Sequence, residues 1–356
     1  MKVVSSLFLT LALSVIATSS QAHHGSNGQF DTSKEIEISG VITDVKFVNP
    51  HSYFYFDETA DDGTVNGWRC ELRAGSLLKR NGWTDDLFAA GTKVTVTAAP
   101  ARREEFGCMT QTIAYEDGRV VSRYDVLNDA DSLIPKDVAA TRADGTPNFA
   151  GNWAAEQRVP GGTGGMGAPG EMGAMGPGGP PSYNQTEAGK LASAGFNSED
   201  NPRFHCKATN IFLDWWFDQH VNTIEETDDT IVMRYGFMDI VRTIHVGMQE
   251  HPDDITPSRA GHSIGNWDGD TLVVDTVGFL EGYLDGRFGI KHSDELHTVE
   301  RFSLSDDLET LTIDYTLEDP KYLVGTFEGS QDVKRTTAAF DPYNCDDLTE
   351  ERVKGF

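Results

Sequence analysis

The sequence predicts a mostly β protein of two modules, an N-terminal OB-like small barrel followed by a C-terminal antiparallel up-and-down barrel. Three observations carry that expectation. Strand-like segments surround a single short helical segment between residues 23 and 125. A stretch made almost wholly of Gly, Pro, Met and Ala, Gly161 to Pro181, then interrupts the pattern. Beyond it, segments of alternating polarity recur in pairs about short Asp-containing turns, the arrangement that marks β-hairpins.

In the first module, residues 34–57 read as one long bent strand segment. Glu35 to Val45 alternates polar and apolar residues, and Ser52 to Phe56 follows the break at Asn49-Pro50-His51. A third strand covers Gly67 to Leu72, and a helix over Ala74 to Asn81 is closed by Gly82, a residue type that ends helices readily. Lys93 to Thr97 and Thr110 to Tyr115 complete the set, the latter running into the turn Asp117-Gly118. Three strands, a helix and two strands in this order are the plan of an OB-type barrel.

Residues 126–185 read as a linker with a candidate first barrel strand near 150–155. Its Gly161–Pro181 portion cannot bury enough apolar surface to fold by itself. Thr186 suits the cap of a short helix through Ala194. Within 186–356, Val221–Thr227 and Thr230–Tyr235 flank Asp228-Asp229, His262–Trp267 and Asp270–Thr276 flank Asp268-Gly269, and Thr298–Ser305 and Glu309–Glu318 flank Asp306-Asp307. Ile240–Val246, Gly329–Phe340 and the strand at Trp153 add three more, enough to close a barrel. Gly151-x-Trp153 resembles the opening strand of lipocalin barrels, so the second barrel is expected to be lipocalin-like.

Lys2, the apolar run Leu7–Ala17 and the small-x-small sequence Ser20-Gln21-Ala22 read as a secretory signal peptide over residues 1–22. The run is too short to span a bilayer. The expected product is periplasmic or secreted, with no integral membrane segment. Its formal net charge of -27 repels phosphate backbones and argues against a nucleic-acid partner. Cys70, Cys108, Cys206 and Cys345 fall two to each half of the chain. In an oxidising compartment they read as disulfides, most simply Cys70 with Cys108 and Cys206 with Cys345. The alternative is a thiolate metal site, but no Cys-x-x-Cys occurs.

Two resemblances attach to these motifs. Ala22-His23-His24, Phe30-Asp31, Asn49-Pro50-His51, Leu78-x-Arg80-x-Gly82-Trp83 and Gly91-Thr92-x-Val94 resemble a family of small bacterial exported proteins of unknown function, over roughly residues 22–120. Arg203-x-x-Cys206, Arg242-x-Ile244-His245, the run from Gly261-His262-Ser263 through Trp267 and Asp270 to Asp275-Thr276, and His292 to Phe302 resemble a second recurrent bacterial module without assigned activity. Neither likeness implies a reaction.

Two groups of residues could carry chemistry. After cleavage at Ala22, His23 would present a free amine beside its imidazole. With His24 and His51 this makes a Cu(II) donor set resembling the histidine brace of exported copper proteins. Met166, Met172 and Met175 would add thioethers for Cu(I). The bland reading is a frayed terminus and linker composition.

The second group depends on strand order. A simple meander alternates its connections between the two barrel ends, which would gather the Asp228-Asp229 turn, loops 247–261 and 278–296 and the turn 319–325 at one mouth. That mouth would hold His245, His251, His262, Asp275, His292, His297, Glu318 and Asp319. Glu300 shares a strand face with Phe302 and Leu304, so if that face is inward it should be at least partly buried and paired with Arg242, Arg301 or a histidine. It is the candidate general base, with His262, His297 and Asp275 beside it. Arg242, His245, His251, His292, Trp267 and Arg301 are the candidate ligand contacts. The structural alternative is a Glu-Arg pair that staples the barrel. Trp215, Trp216 and Phe217 would line the pocket or fill the core.

The chain lacks a Gly-x-Ser-x-Gly elbow, a phosphate loop, a His-Glu-x-x-His motif and a dinucleotide fingerprint. The expected function is therefore an exported small-ligand or metal (copper or zinc) binding protein with a His-lined barrel mouth. The alternative is an enzyme, a metal-assisted hydrolase, isomerase or hydratase, using Glu300 with His262, His292 or His297.

Overall fold

The computed structural model describes residues 29–128, 135, 138–155, 183–197, 200–217 and 220–345. Residues 1–22, expected to be a signal peptide, and His23, His24, Met166, Met172 and Met175 lie outside these residues. The N-terminal half forms β1 (Ile36–Lys46), β2 (Tyr53–Thr59), β3 (Val65–Glu71), α1 (Gly75–Arg80), β4 (Lys93–Pro100), β5 (Gly107–Tyr115) and β6 (Val120–Ser122). Along β1, Ile38 and Ile42 turn inward while their neighbours face water, the period-2 pattern of a half-buried strand. Gly40 sits between them because a Cβ there would come within 2.5 Å of the Asp57 carbonyl oxygen on β2.

The sheet order is β3-β2-β1-β4-β5-β6, and a parallel pairing of β3 with β5 closes five strands into a small barrel. The seam falls where Cys70 stands opposite Cys108, and these two are disulfide-bonded. Phe54, Phe56, Trp83 and Phe88 fill the centre.

The C-terminal half comprises β7 (Gly151–Ala154), α2 (Glu187–Ser193), β8 (Asn222–Glu226), β9 (Thr230–Arg234), β10 (Val241–Val246), β11 (His262–Asp268) and β12 (Thr271–Val277). The strands β13 (Gly282–Asp285), β14 (Ile290–His292), β15 (His297–Leu304), β16 (Thr310–Glu318) and β17 (Thr326–Thr336) complete it. Thr186 caps α2, its hydroxyl accepting from the Gly189 amide. Nine strands close in the order β10-β11-β12-β15-β16-β17-β7-β8-β9, and β13 and β14 form a separate two-stranded sheet among the described residues. The inward face carries Trp153, Ile224, Met233, Ile244, Leu272, Val274, Phe302 and Ile313, with Phe212 and Trp215 packed on them.

One pairing corrects the simple meander. β10 and β11 run parallel, with Ile244 beside Ser263, whereas every other neighbouring pair in the ring is antiparallel. Alternating strands close a ring only when their number is even, so a ring of nine needs one parallel step. Such a step needs a long crossover, here residues 247–261.

The crossover starts at the end that holds the Asp228-Asp229, Asp268-Gly269 and Asp306-Asp307 turns, where the Asn266 amide donates to the Met248 carbonyl. It descends the outer face of β11 and β12 to pair Ser258 with Phe279. The loops 278–296 and 319–325 therefore lie at the opposite end from Asp228-Asp229, not at a shared mouth.

The two halves touch through a small set of directed contacts. The Ser76 hydroxyl at the start of α1 meets His220 Nδ1 at 2.6 Å, and the Asn49 amide donates to the Tyr343 carbonyl at 2.7 Å. The Cys206–Cys345 disulfide fixes the C-terminal segment that carries Tyr343. No described helix is long and apolar enough to cross a membrane.

Candidate functional site

Five neighbouring strands each place one polar side chain on the outer wall of the large barrel. His245 on β10, His262 on β11, Asp275 on β12, His297 on β15 and Glu318 on β16 stand side by side, because their inward neighbours Ile244, Ser263, Val274, Thr298 and Leu317 occupy the interior. The crossover delivers a sixth, His251. Its Nδ1 lies 2.8 Å from His262 Nδ1, and its Nε2 lies 2.9 Å from Asp275 Oδ1. The other Asp275 oxygen is 2.8 Å from His297 Nε2, whose Nδ1 in turn is 3.2 Å from Glu318 Oε1. His245 stacks on His262 with ring centroids 5.1 Å apart.

The protons follow from this network. Both nitrogens of His297 face carboxylate oxygens, so both carry hydrogen and the ring is an imidazolium. Burial works to depress its pKa, but the hydrogen bonds it donates to Asp275 and Glu318 outweigh it and hold the value above that of an ordinary histidine. His251 donates through Nε2 to Asp275, which leaves its Nδ1 to accept from His262. Burial, reinforced by the positive charges that His245 and His251 can carry, pushes the His262 pKa down. One end of the row is thus held protonated and the other is held neutral.

The remaining candidates fall elsewhere. Glu300 faces the barrel interior, as its strand phase predicted, and its partner is Arg242. Arg242 Nη1 donates to Oε1 at 3.0 Å and Nη2 donates to Oε2, and no imidazole among the described residues bonds to the pair. Arg242 also donates to the Ser263 and Thr276 hydroxyls at 3.0 and 2.9 Å. With both oxygens engaged by one guanidinium, Glu300 has the geometry of a structural ion pair. Trp267 points inward against Phe149, and Arg301 points outward to Asp268 at 2.9 Å.

His292 is buried among the lower loops, where its Nδ1 donates to the Ser293 carbonyl and burial lowers its pKa. The Ser293 hydroxyl donates to Asp319 at 2.7 Å. Neither His292 nor Asp319 reaches the outer-wall row. His51 lies on the small barrel, its Nδ1 3.5 Å from Glu71 Oε2. Among the described residues no cluster of three or more His, Cys, Asp or Glu side chains is assembled as a ready metal cage.

The two disulfides join the cysteines in the simplest pairing, Cys70 with Cys108 and Cys206 with Cys345, and no described cysteine is free. The row itself is where sequence reasoning fell short in geometry. The imidazoles meet on the wall rather than the rim, and the missed signal was the crossover: fifteen residues joining adjacent strands are too many for a hairpin.

Residues 12–109 match a family of unknown function, DUF6152. The matched stretch reaches from residue 12 into β5, ending next to Cys108 at the seam of the small barrel, and it stops short of every residue of the histidine row. No curated protein and no solved structure matches the chain.

Proposed function

We propose that this is an exported binding protein for a divalent transition metal, zinc or copper, and that the outer-wall histidines hold it. The observation that carries the reading is the pair of Nδ1 atoms of His251 and His262, which face each other at 2.8 Å with one proton between them. Two imidazole nitrogens on a tetrahedral ion at about 2.0–2.1 Å stand about 3.3 Å apart. Opening the pair by about half an ångström therefore exchanges the shared proton for a metal.

His262 would then carry its hydrogen on Nε2, so the exchange moves a proton within the ring and releases none. Asp275, bonded to the far nitrogen of His251, would orient that histidine as a ligand. His245, stacked on His262, is the nearest third imidazole. Imidazole donors suit zinc and copper. The leader-like N-terminus and the two disulfides support a location outside the cytoplasm.

Equilibrium dialysis against Zn(II) and Cu(II), with metal analysis, tests the reading. A chain carrying His23→Ala and His24→Ala should be used so that the N-terminal donors contribute nothing. One equivalent should be retained, and His251→Ala or His262→Ala should abolish it. His297→Ala should leave it, because both His297 nitrogens are occupied by carboxylates. Equal retention by all three variants, or no retention at all, overturns it.

A further inference from the structure

The chain that follows β17 forms a strap gripped by both barrels. Residues 337–344 carry neither helix nor strand and are held by side chains on two sides. From the large barrel, the Asn152 amide donates to the Ala338 carbonyl at 2.9 Å, and the Asp239 carboxylate accepts from the Tyr343 and Asn344 amides at 2.7 and 3.2 Å. From the small barrel, Lys79 pairs with Asp341 at 3.1 Å and the Asn49 amide donates to the Tyr343 carbonyl. The Tyr343 ring, 2% exposed, stands edge-on to His220 and Phe237 at 5.0 and 4.9 Å. The covalent tie at the end of the strap is the Cys206–Cys345 disulfide.

Backbone strain gathers around that tie. Five non-glycine residues have a positive φ among the described residues, and four of them stand here: Cys206 at 51°, Met238 at 59°, Asp239 at 55° and Asn344 at 42°. L-residues take this conformation at a cost, and it persists only where the surroundings over-determine it, as in clamps and switches. Cys206 closes the short 3-10 turn Pro202–His205. Met238 and Asp239 make the turn between β9 and β10 that aims the Asp239 carboxylate at the strap, and Asn344 is the residue beside Cys345. The tie is also open to attack. Cys206 is exposed and Cys345 half-buried, whereas Cys70 and Cys108 are 0% and 1% exposed, and access to a sulfur governs thiol–disulfide exchange.

We propose that the Cys206–Cys345 disulfide is a redox latch, and that its reduction by a dithiol frees the strap and uncouples two barrels that each stay folded. A thiolate of the dithiol attacks the exposed Cys206 sulfur, the sulfur–sulfur bond breaks, and Cys345 leaves as a thiolate that takes up a proton. The second thiol of the reductant then resolves the mixed disulfide, which releases Cys206 as a thiol and closes a disulfide in the reductant. Two electrons and two protons thereby pass to the chain. Both rings survive the release, because the strap lies beyond Thr336, the last residue of the last ring strand, and takes part in no ring pairing. The Cys70–Cys108 bond at the seam of the small barrel stays oxidised inside its core.

The test incubates the full chain with graded dithiothreitol without denaturant, then alkylates it and maps the modified cysteines by mass spectrometry. Cys206 and Cys345 should be alkylated at a dithiothreitol concentration about 10-fold lower than Cys70 and Cys108. At that concentration chymotrypsin should begin to cut after Phe340 and Tyr343, small-angle scattering should show a larger maximum dimension, and the far-ultraviolet circular dichroism should hold. Reoxidation should restore protection. The Cys206→Ser, Cys345→Ser double variant should be cut without any reductant. Reduction of the two disulfides together, a strap that stays uncut or a molecule that stays equally compact once Cys206 and Cys345 are reduced, or protection of the double variant overturns the latch. Loss of the circular dichroism on reduction also overturns it, since the bond is then a structural staple.

Discussion

Replacing Glu300 with Gln removes the negative half of an ion pair whose members are 1% and 2% exposed. Arg242 would keep its bonds to the Ser263 and Thr276 hydroxyls, but its charge would be left uncompensated in the interior. Breaking a buried pair from one side costs about 3–5 kcal/mol. The glutamine also turns an amide N–H toward the guanidinium where an oxygen stood, which favours the upper part of that range.

An apolar exchange of both partners, Arg242→Met with Glu300→Leu, should recover most of the loss. Ser263 and Thr276 already bond to each other at 2.9 Å and are not orphaned by it. Urea unfolding followed by tryptophan emission, compared at constant m-value, measures both effects. A Glu300→Gln chain within about 1 kcal/mol of the parent would refute the account of this pair as a structural staple.

Three further outcomes follow from single contacts. His297 has a folded pKa raised above its unfolded value, so its contribution to stability is complete below about pH 6.5 and is lost as pH rises through the folded value; His297→Gln should flatten that decline in thermal melts taken from pH 5.5 to 8.5. Cys345→Ser opens a loop spanning 139 residues, for which chain entropy predicts a loss of about 5 kcal/mol. It should also free the segment that Asn49 grips through Tyr343, seen as new protease cleavage after residue 336. Ser76→Ala leaves His220, whose Nε2 already lacks a partner, with no hydrogen bond at either nitrogen and should cost about 1–3 kcal/mol. Because burial, aided by Arg80 and Arg203, pushes the His220 pKa down to about 3, that loss should not vary between pH 5 and 8.

The legible parts of the sequence were those with a local cause. The Asp268-Gly269 turn, the alternation about it and the out-of-phase Glu300 are each set by a few neighbouring residues, and each appears in the structure as read. What was not legible is set by closure of the whole ring. The parallel step between β10 and β11 exists because the ring has nine members, a number no single hairpin reveals. That step turned a supposed rim of histidines into a row on the wall, with His251 brought in by the crossover. His292 was lost to the row for a related reason: β13 and β14 pair with each other outside the ring, so His292 is buried under the lower loops. The Ser76–His220 contact joins residues 144 apart and leaves no local trace.

The most direct test of metal binding reads the imidazole nitrogens themselves. In the chain lacking His23 and His24, nitrogen-15 histidine spectra should be recorded during a Zn(II) titration. The account predicts that Nδ1 of His251 and of His262 move to ligated shifts at one equivalent while both His297 nitrogens stay protonated. Unchanged His251 and His262 nitrogens at saturating zinc would contradict it.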